Sequence, residues 1–321
     1  MKATINKPSP RTIFMGTPEF AVATLKKLVE GGYIIVAVVT APDKPAGRGM
    51  HLQQSPVKKY ALEKGLTVLQ PEKLKRLEFL DSLRSLHADL QIVVAFRMLP
   101  EAVWNMPPMG TINLHASLLP QYRGAAPINW AIINGEKETG LTTFKLQQEI
   151  DTGNILLSER MSISENESAG ELHDRMKVIG AELMLKTLAG LAEHSLHEQS
   201  QSSFSVTEHV SSLKKAPKIF TETCRINWER PVNEVHDLIR GLSPTPGAFT
   251  FLKNKMLKIF KAATIRSLQS SILPGNFETD GQTFLRFACT NGYIEVIELQ
   301  IEGKKKMNVQ DFLKGYNFDK K

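Results

Sequence analysis

Two aliphatic runs, residues 33–40 (YIIVAVVT) and 89–96 (DLQIVVAF), restrict the possible folds of this chain more than any other feature. Neither alternates polar with apolar residues. Each therefore predicts a strand buried on both faces, as in a parallel sheet covered by helices. Shorter strands are expected at 11–15, 67–69 and 110–114, and helices at 18–30, 56–64 and 74–86. Strands alternating with helices imply right-handed crossovers and an α/β fold built on a doubly wound, mostly parallel sheet.

The pattern changes towards the C-terminus. A long helix is expected over 168–194, followed by a polar, serine-rich stretch (HEQSQSSFSV, 197–206) that reads as a linker. Beyond residue 211 a helix at 232–241 precedes short β runs at 247–252, 256–263, 284–288 and 293–300, separated by glycine and asparagine turns. That spacing suits a small β-barrel. The expected division is thus a domain over 1–196, a linker over 197–210 and a second domain over 211–321. Charge divides the same way. Residues 209–321 carry 18 Lys and Arg against 11 Asp and Glu, whereas residues 1–208 carry 22 of each. The whole net charge of +7 therefore sits in the last third, which suits either a polyanion-binding domain or a solvated lysine-rich face. Two cysteines, Cys224 and Cys289, make no disulfide framework. No run approaches the roughly 20 apolar residues of a membrane span. A cytoplasmic protein is expected.

Chemistry is concentrated after the strand at 110–114, in Asn113-Leu114-His115-Ala116-Ser117-Leu118-Leu119-Pro120. Residues two apart on a strand share a face, so Asn113 and His115 project together. The carboxyl end of a strand, just before a helix (126–134), is where open α/β sheets form their ligand crevice. Asp151 follows in a turn, Glu149-Ile150-Asp151-Thr152-Gly153-Asn154. An imidazole near a carboxylate is a general-base arrangement, and a side-chain amide can stabilise a developing oxyanion. The trio suits acyl-type transfer, although singly Asp151 could cap its turn and His115 could be structural. Gly16-Thr17-Pro18-Glu19-Phe20 occupies the place of a dinucleotide-binding turn but lacks the G-x-G-x-x-G spacing. Arg48, between two glycines in a loop after the second strand, is placed either to grip a phosphate or carbonyl or to stand in solvent. No residues with metal-ligand spacing occur.

These motifs closely resemble the methionyl-tRNA formyltransferase family, and the resemblance spans nearly the whole chain. It rests on Gly16-Thr17-Pro18-Glu19-Phe20, Ala46-Gly47-Arg48-Gly49, Ser55-Pro56-Val57-Lys58, Ser117-Leu118-Leu119-Pro120, Arg123-Gly124-Ala125-Ala126-Pro127-Ile128, Glu138-Thr139-Gly140, Asp151-Thr152-Gly153 and Ile226-Asn227-Trp228. The resemblance implies a Rossmann-like catalytic domain using 10-formyltetrahydrofolate and a C-terminal β-barrel of oligonucleotide-binding type that grips tRNA. Lys304, Lys305 and Lys306 are a plausible phosphate patch there. Residue by residue, it implies Asn113, His115 and Asp151 as catalytic. Ser117, Leu118, Leu119 and Pro120 would contact folate, and Arg48 would approach the acceptor end of tRNA. Ala95-Phe96-Arg97-Met98-Leu99-Pro100 departs from the family's longer Ala-Tyr-Gly-Leu-Ile-Leu-Pro type of segment, which lines the pterin site through its backbone.

The implied reaction moves a formyl group to the α-amino group of methionine on initiator tRNA, without a metal and in a monomer. The alternative acceptors are glycinamide ribonucleotide, an amino sugar or water, and a non-catalytic RNA-binding module is the alternative outside enzymes. The basic tail argues for a tRNA acceptor, and the intact trio argues for catalysis. A hydrolase would be expected to carry a regulatory domain before its first strand, which here is expected to begin near residue 11.

Overall fold

The computed structural model describes residues 10–46, 51–203, 213–267 and 272–316. Its larger sheet is made from β1 (Thr12–Gly16), β2 (Ile35–Val39), β5 (Val68–Leu69), β6 (Leu90–Val94), β7 (Thr111–His115), β9 (Glu138–Lys145) and β10 (Ile155–Ser162). Between them lie a hairpin, β3 (Lys44–Ala46) with β4 (His51–Gln53), and a two-residue strand, β8 (Arg123–Gly124). The order across the sheet is β10-β9-β7-β6-β1-β2-β5. The pairs β5–β2, β2–β1, β1–β6 and β6–β7 are parallel, while β9 runs antiparallel to β7. Phe14, Val38, Ile92 and Val94 are fully buried, as the unalternating runs require.

Helices α1 (Glu19–Glu30), α2 (Pro56–Glu63), α3 (Leu77–Ser85), α4 (Glu101–Trp104), α5 (Pro127–Ile133) and α6 (Ala169–Ala192) occupy the connections. Pro56 opens α2, and the Ser55 hydroxyl caps it by accepting the Lys58 N–H at 3.0 Å. The regular part of α3 begins three residues later than the apolar spacing suggests, yet Leu74 is still buried before it. The chain divides into two units, one of Met1–Arg123, Gly140–Met161 and His173–Lys214, the other of Gly124–Thr139, Ser162–Leu172 and Lys215–Lys321.

The second unit follows a two-residue strand, β11 (Lys215–Ala216), with helix α7 (Val232–Gly241) and an antiparallel half-barrel. Its strands are β12 (Ala248–Leu252), β13 (Lys255–Arg266), β14 (Phe277–Thr279), β15 (Leu285–Cys289) and β16 (Gly292–Ile301), in the order β12-β13-β16-β15-β14. A short β17 (Met307–Asn308) also pairs with β16 and leads into helix α8 (Val309–Gly315), which the sequence reading did not anticipate. The register of β13 slips on either side of Lys261, and such irregularities bend a strand and increase its twist. Val232, Val235 and Ile239 of α7 pack with Leu257, Phe287, Ile294 and Leu299 in one core. Trp228 stacks on Phe287 with ring centres 4.7 Å apart. Cys224 and Cys289 are buried free thiols, and burial pushes the Cys289 thiol up to about 12, which suppresses the reactive thiolate. Among the described residues, no helix is long and apolar enough to cross a membrane.

His236 of α7 is 8% exposed, and its Nε2 donates to the Ala262 carbonyl at 3.2 Å. Burial pushes its imidazole below the ordinary value, outweighing the Ala262 bond and the Asp237 charge, which raise it. The unfolded chain therefore binds more protons than the folded one below about pH 6.5, so this group costs stability as pH falls through that value. Urea midpoints are expected to decline between pH 7 and 5.5 (roughly the range of histidine titration), and the decline should be flatter in His236→Gln.

Candidate active site

His115, the last residue of β7, is 6% exposed and has a polar neighbour at each ring nitrogen. Its Nε2 lies 2.9 Å from the Tyr122 carbonyl oxygen. A carbonyl only accepts, so Nε2 carries the hydrogen and Nδ1 is the nitrogen with the lone pair. Nδ1 faces Asp151 Oδ2 at 3.8 Å. Phe144 closes a further side, with its ring edge-on to the imidazole at 6.5 Å. Both polar holders are in the left-handed backbone region, Tyr122 at φ 57° and Asp151 at φ 55°. Such conformations cost about 1–3 kcal/mol and persist only where surrounding contacts enforce them.

Asn113 lies two residues before His115 on β7, paired with Val93 of β6 and Phe144 of β9. It is half-buried. Among the described residues its carboxamide has no hydrogen-bond partner, leaving its N–H groups available to a ligand. The segment after His115 is shaped by Thr142. The Thr142 hydroxyl donates to the Ser117 carbonyl at 2.7 Å and accepts the Leu119 N–H at 3.2 Å. Ser117 is fully buried, and its hydroxyl donates to the Gln121 carbonyl at 2.6 Å. Leu119 is buried, whereas Leu118 and Pro120 are half-buried. Gly140 is required beside them, because a Cβ there would come within 2.4 Å of Leu118 Cδ2 and 2.3 Å of the Glu159 carbonyl oxygen.

The β6–α4 loop opens at the carboxyl ends of these strands, with Ala95 in the left-handed region (φ 48°) and Met98 72% exposed. Arg97, where this loop departs from the family pattern, donates to the carbonyls of Pro71 and Glu72 and lies over the Phe96 ring. Its guanidinium thus ties this loop to the one after β5. Arg48 lies outside the described residues. The β3–β4 hairpin on either side of it is tied down at its base: Asp43 bonds to Lys58 at 2.5 Å and to Gln70 at 2.8 Å. Those two bonds, Lys58 first, hold the Asp43 carboxyl below the usual carboxylate range. Among the described residues, no three His, Cys, Asp or Glu side chains converge as a metal site would require.

The sequence reading missed Gln201, which is 3% exposed. Its Nε2 donates to the carbonyls of Asp151 and Gly153, both at 2.8 Å. Its Oε1 accepts from Arg123 Nε at 3.0 Å and Nη2 at 2.5 Å. Neighbouring residues follow the same edge. Gln199 exchanges backbone hydrogen bonds with Ile155, and Glu198 accepts from Lys145 and Asn154. Burial pushes the Arg123 guanidinium down, and the charges of Asp151 and Glu149 oppose that shift. No spacing rule singles out a glutamine in a serine-rich run. Only the tertiary structure shows the two carbonyls it meets.

The sequence profile described as Formyl transferase matches residues 11–188, and that described as Formyl transferase, C-terminal domain, matches residues 218–317. A methionyl-tRNA formyltransferase of Bacteroides fragilis is 50% identical over 318 residues, covering 98% of this chain and 97% of the relative. The chain belongs to the methionyl-tRNA formyltransferase family. Another relative of that name, from Phocaeicola vulgatus, is 52% identical over 318 residues, 97% of each chain. Among solved structures, a sugar 3N-formyl transferase crystallised with dTDP and 5-N-formyl-THF has the same fold, with a TM-score of 0.65 at 19% identity. That match covers 92% of this chain and 99% of the other.

In this formyltransferase, Gly153 is a sharp test of the turn that carries Asp151. A Cβ at 153 would lie 1.6 Å from the Lys145 carbonyl oxygen, so the turn must move to admit it. Gly153→Ala is expected to lower the unfolding free energy by about 1–3 kcal/mol in urea titrations, as overpacking does.

Proposed function

We propose that Asn113, His115 and Asp151 carry formyl transfer from 10-formyltetrahydrofolate to the α-amino group of methionine on initiator tRNA. The observation that carries this reading is the grip on His115, with Nε2 bonded to the Tyr122 carbonyl and Nδ1 turned to Asp151. Because Nε2 already holds its hydrogen, a proton accepted from the attacking amine goes to Nδ1. The imidazolium so formed faces the Asp151 carboxylate across 3.8 Å. His115 is the base, Asp151 supports the charge it acquires, and His115 returns the proton to the folate nitrogen N10 as the N10–formyl bond breaks and tetrahydrofolate leaves. Asn113, on the same strand face, is the donor for the formyl oxygen as negative charge builds there. One such donor contributes about 3–4 kcal/mol in other enzymes.

The residues present fit a folate co-substrate. The partnerless Asn113 amide stands beside His115, and the Thr142-braced turn offers Ser117, Leu118, Leu119 and Pro120 to hold the ligand. The open loop with Met98 exposed supplies further apolar surface beside this turn. When bound, the folate supplies the activated formyl group. The protein's part is to bind it, orient the amine and manage one proton.

For the acceptor, we assign tRNA binding to the basic last third and to Arg48. Lys304 and Lys305 are exposed on the loop between β16 and β17, whereas Lys306 pairs with Glu298 at 2.5 Å and lies over Phe260. A cytoplasmic monomer is the form in which we expect the enzyme to act.

Steady-state formylation of charged initiator tRNA tests the site. Asn113→Ala, His115→Ala and Asp151→Ala are each expected to lower kcat by about 100-fold or more, in the range seen for loss of one oxyanion donor or base. A loss below tenfold in all three would sink the assignment, and formylation of an amino-sugar nucleotide with tRNA left untouched would shift the acceptor. Lys304→Ala with Lys305→Ala should weaken tRNA binding and reduce the slope of log K against log salt by about 1 per lysine. An unchanged slope would remove both residues from the tRNA surface.

A further inference from the structure

We propose that Gln201 is a positioning residue that couples the two holders of His115, fixing Asp151 against the imidazole. This inference rests on the catalytic reading above. A primary amide has two donor hydrogens and a carbonyl oxygen with two lone pairs, and burying it is costly unless these are used. Here all are used. Both hydrogens go to carbonyls of the Asp151 turn, one on each side of Thr152, and the oxygen accepts both Arg123 bonds. The orientation is forced, because carbonyls only accept and a guanidinium only donates.

The connections matter more than the bonds themselves. Arg123 directly follows Tyr122, whose carbonyl holds Nε2, and Asp151 faces Nδ1. Gln201 thus joins the guanidinium of the residue after Tyr122 to the backbone that carries Asp151. Asp151 needs such help, since its left-handed backbone (φ 55°) is disfavoured for a residue with a Cβ. Two nearby donors bond elsewhere in the same turn: Lys145 N–H goes to the Asn154 carbonyl, and the Thr152 hydroxyl goes to the Glu149 carbonyl. The glutamine is itself placed by Gln199, whose backbone pairs in both directions with Ile155 at 2.8 and 2.9 Å. Without the amide, the turn can relax towards right-handed geometry and carry the carboxylate away from Nδ1.

Two variants separate positioning from mere packing. Gln201→Leu keeps the volume and removes every polar contact. Gln201→Glu keeps the acceptor for Arg123 but replaces the donor with a carboxylate oxygen facing two carbonyls. Both are expected to lower kcat for formylation by about 10- to 100-fold, as a displacement near 1 Å does, with KM for the folate within about threefold of wild type. In 15N NMR the ring nitrogen signals of His115, assigned by their loss in His115→Ala, should move in both variants towards their positions in Asp151→Asn. A protein that merely lost packing would unfold more readily with the His115 signals unmoved. Should the leucine variant fail to fold, the glutamate variant carries the same two readouts. Unmoved His115 signals, or a kcat within threefold of wild type, in a folded variant overturn the proposal. A wild-type enzyme inactive on charged tRNA, with His115 signals that still respond to Gln201, would instead refute the catalytic reading and leave the positioning role standing.

Discussion

Everything distinctive about this site depends on a histidine that has no freedom to turn. The Tyr122 carbonyl fixes which nitrogen of His115 carries hydrogen, and Asp151 stands opposite the other. Neither holder is in a relaxed backbone conformation. The surrounding fold must therefore supply the difference, and it does so with ordinary parts. A parallel sheet delivers β7 rigidly, Thr142 braces the turn that follows, and a glutamine from beyond α6 closes the circuit. Groups held in this way need not reorganise when charge develops beside them.

Much of the architecture was legible in the chain because it follows from local pattern. Residues 33–40 and 89–96 could only be strands covered on both faces, and β2 and β6 occupy them. The helices followed from apolar spacing, and the structure opens α2 and α5 on proline. The fold class, a doubly wound α/β sheet followed by a small β-barrel-like unit, agrees with the observed sheets. What escaped was set by distant contacts. The sheet turns antiparallel at β9, one strand in from its edge, and nothing in the sequence of that strand specifies its direction relative to β7. The helix α8 is one of the shortest, with too few turns for periodicity to show.

The site divides in the same way. Asn113 and His115 were visible as a pair because a strand has a period of two. Asp151 could be suspected from its turn, but only tertiary structure brings its carboxylate to Nδ1. Gln201 was opaque for a different reason. Polar composition usually marks solvent-exposed chain, and a buried amide looks the same in one-letter code as an exposed one. Arg97 is a milder case: its departure from the family pattern was readable, but its work of binding the Pro71 and Glu72 carbonyls was not.

Gly140 and Leu118 occupy each other's space: the side chain of one fills the volume that a methyl group on the other would need. Position 140 cannot drift alone. A larger residue at 140 would push Leu118 and, through the short turn bonded to Thr142, disturb the backbone just beyond His115. A smaller residue at 118 would open a void yet leave the demand for glycine in place, because the Glu159 carbonyl oxygen would still stand 2.3 Å from a Cβ at 140. Glycine at 140 is thus demanded twice, by a backbone that cannot retreat and by a side chain that could, and a change at 118 would lift only the second demand.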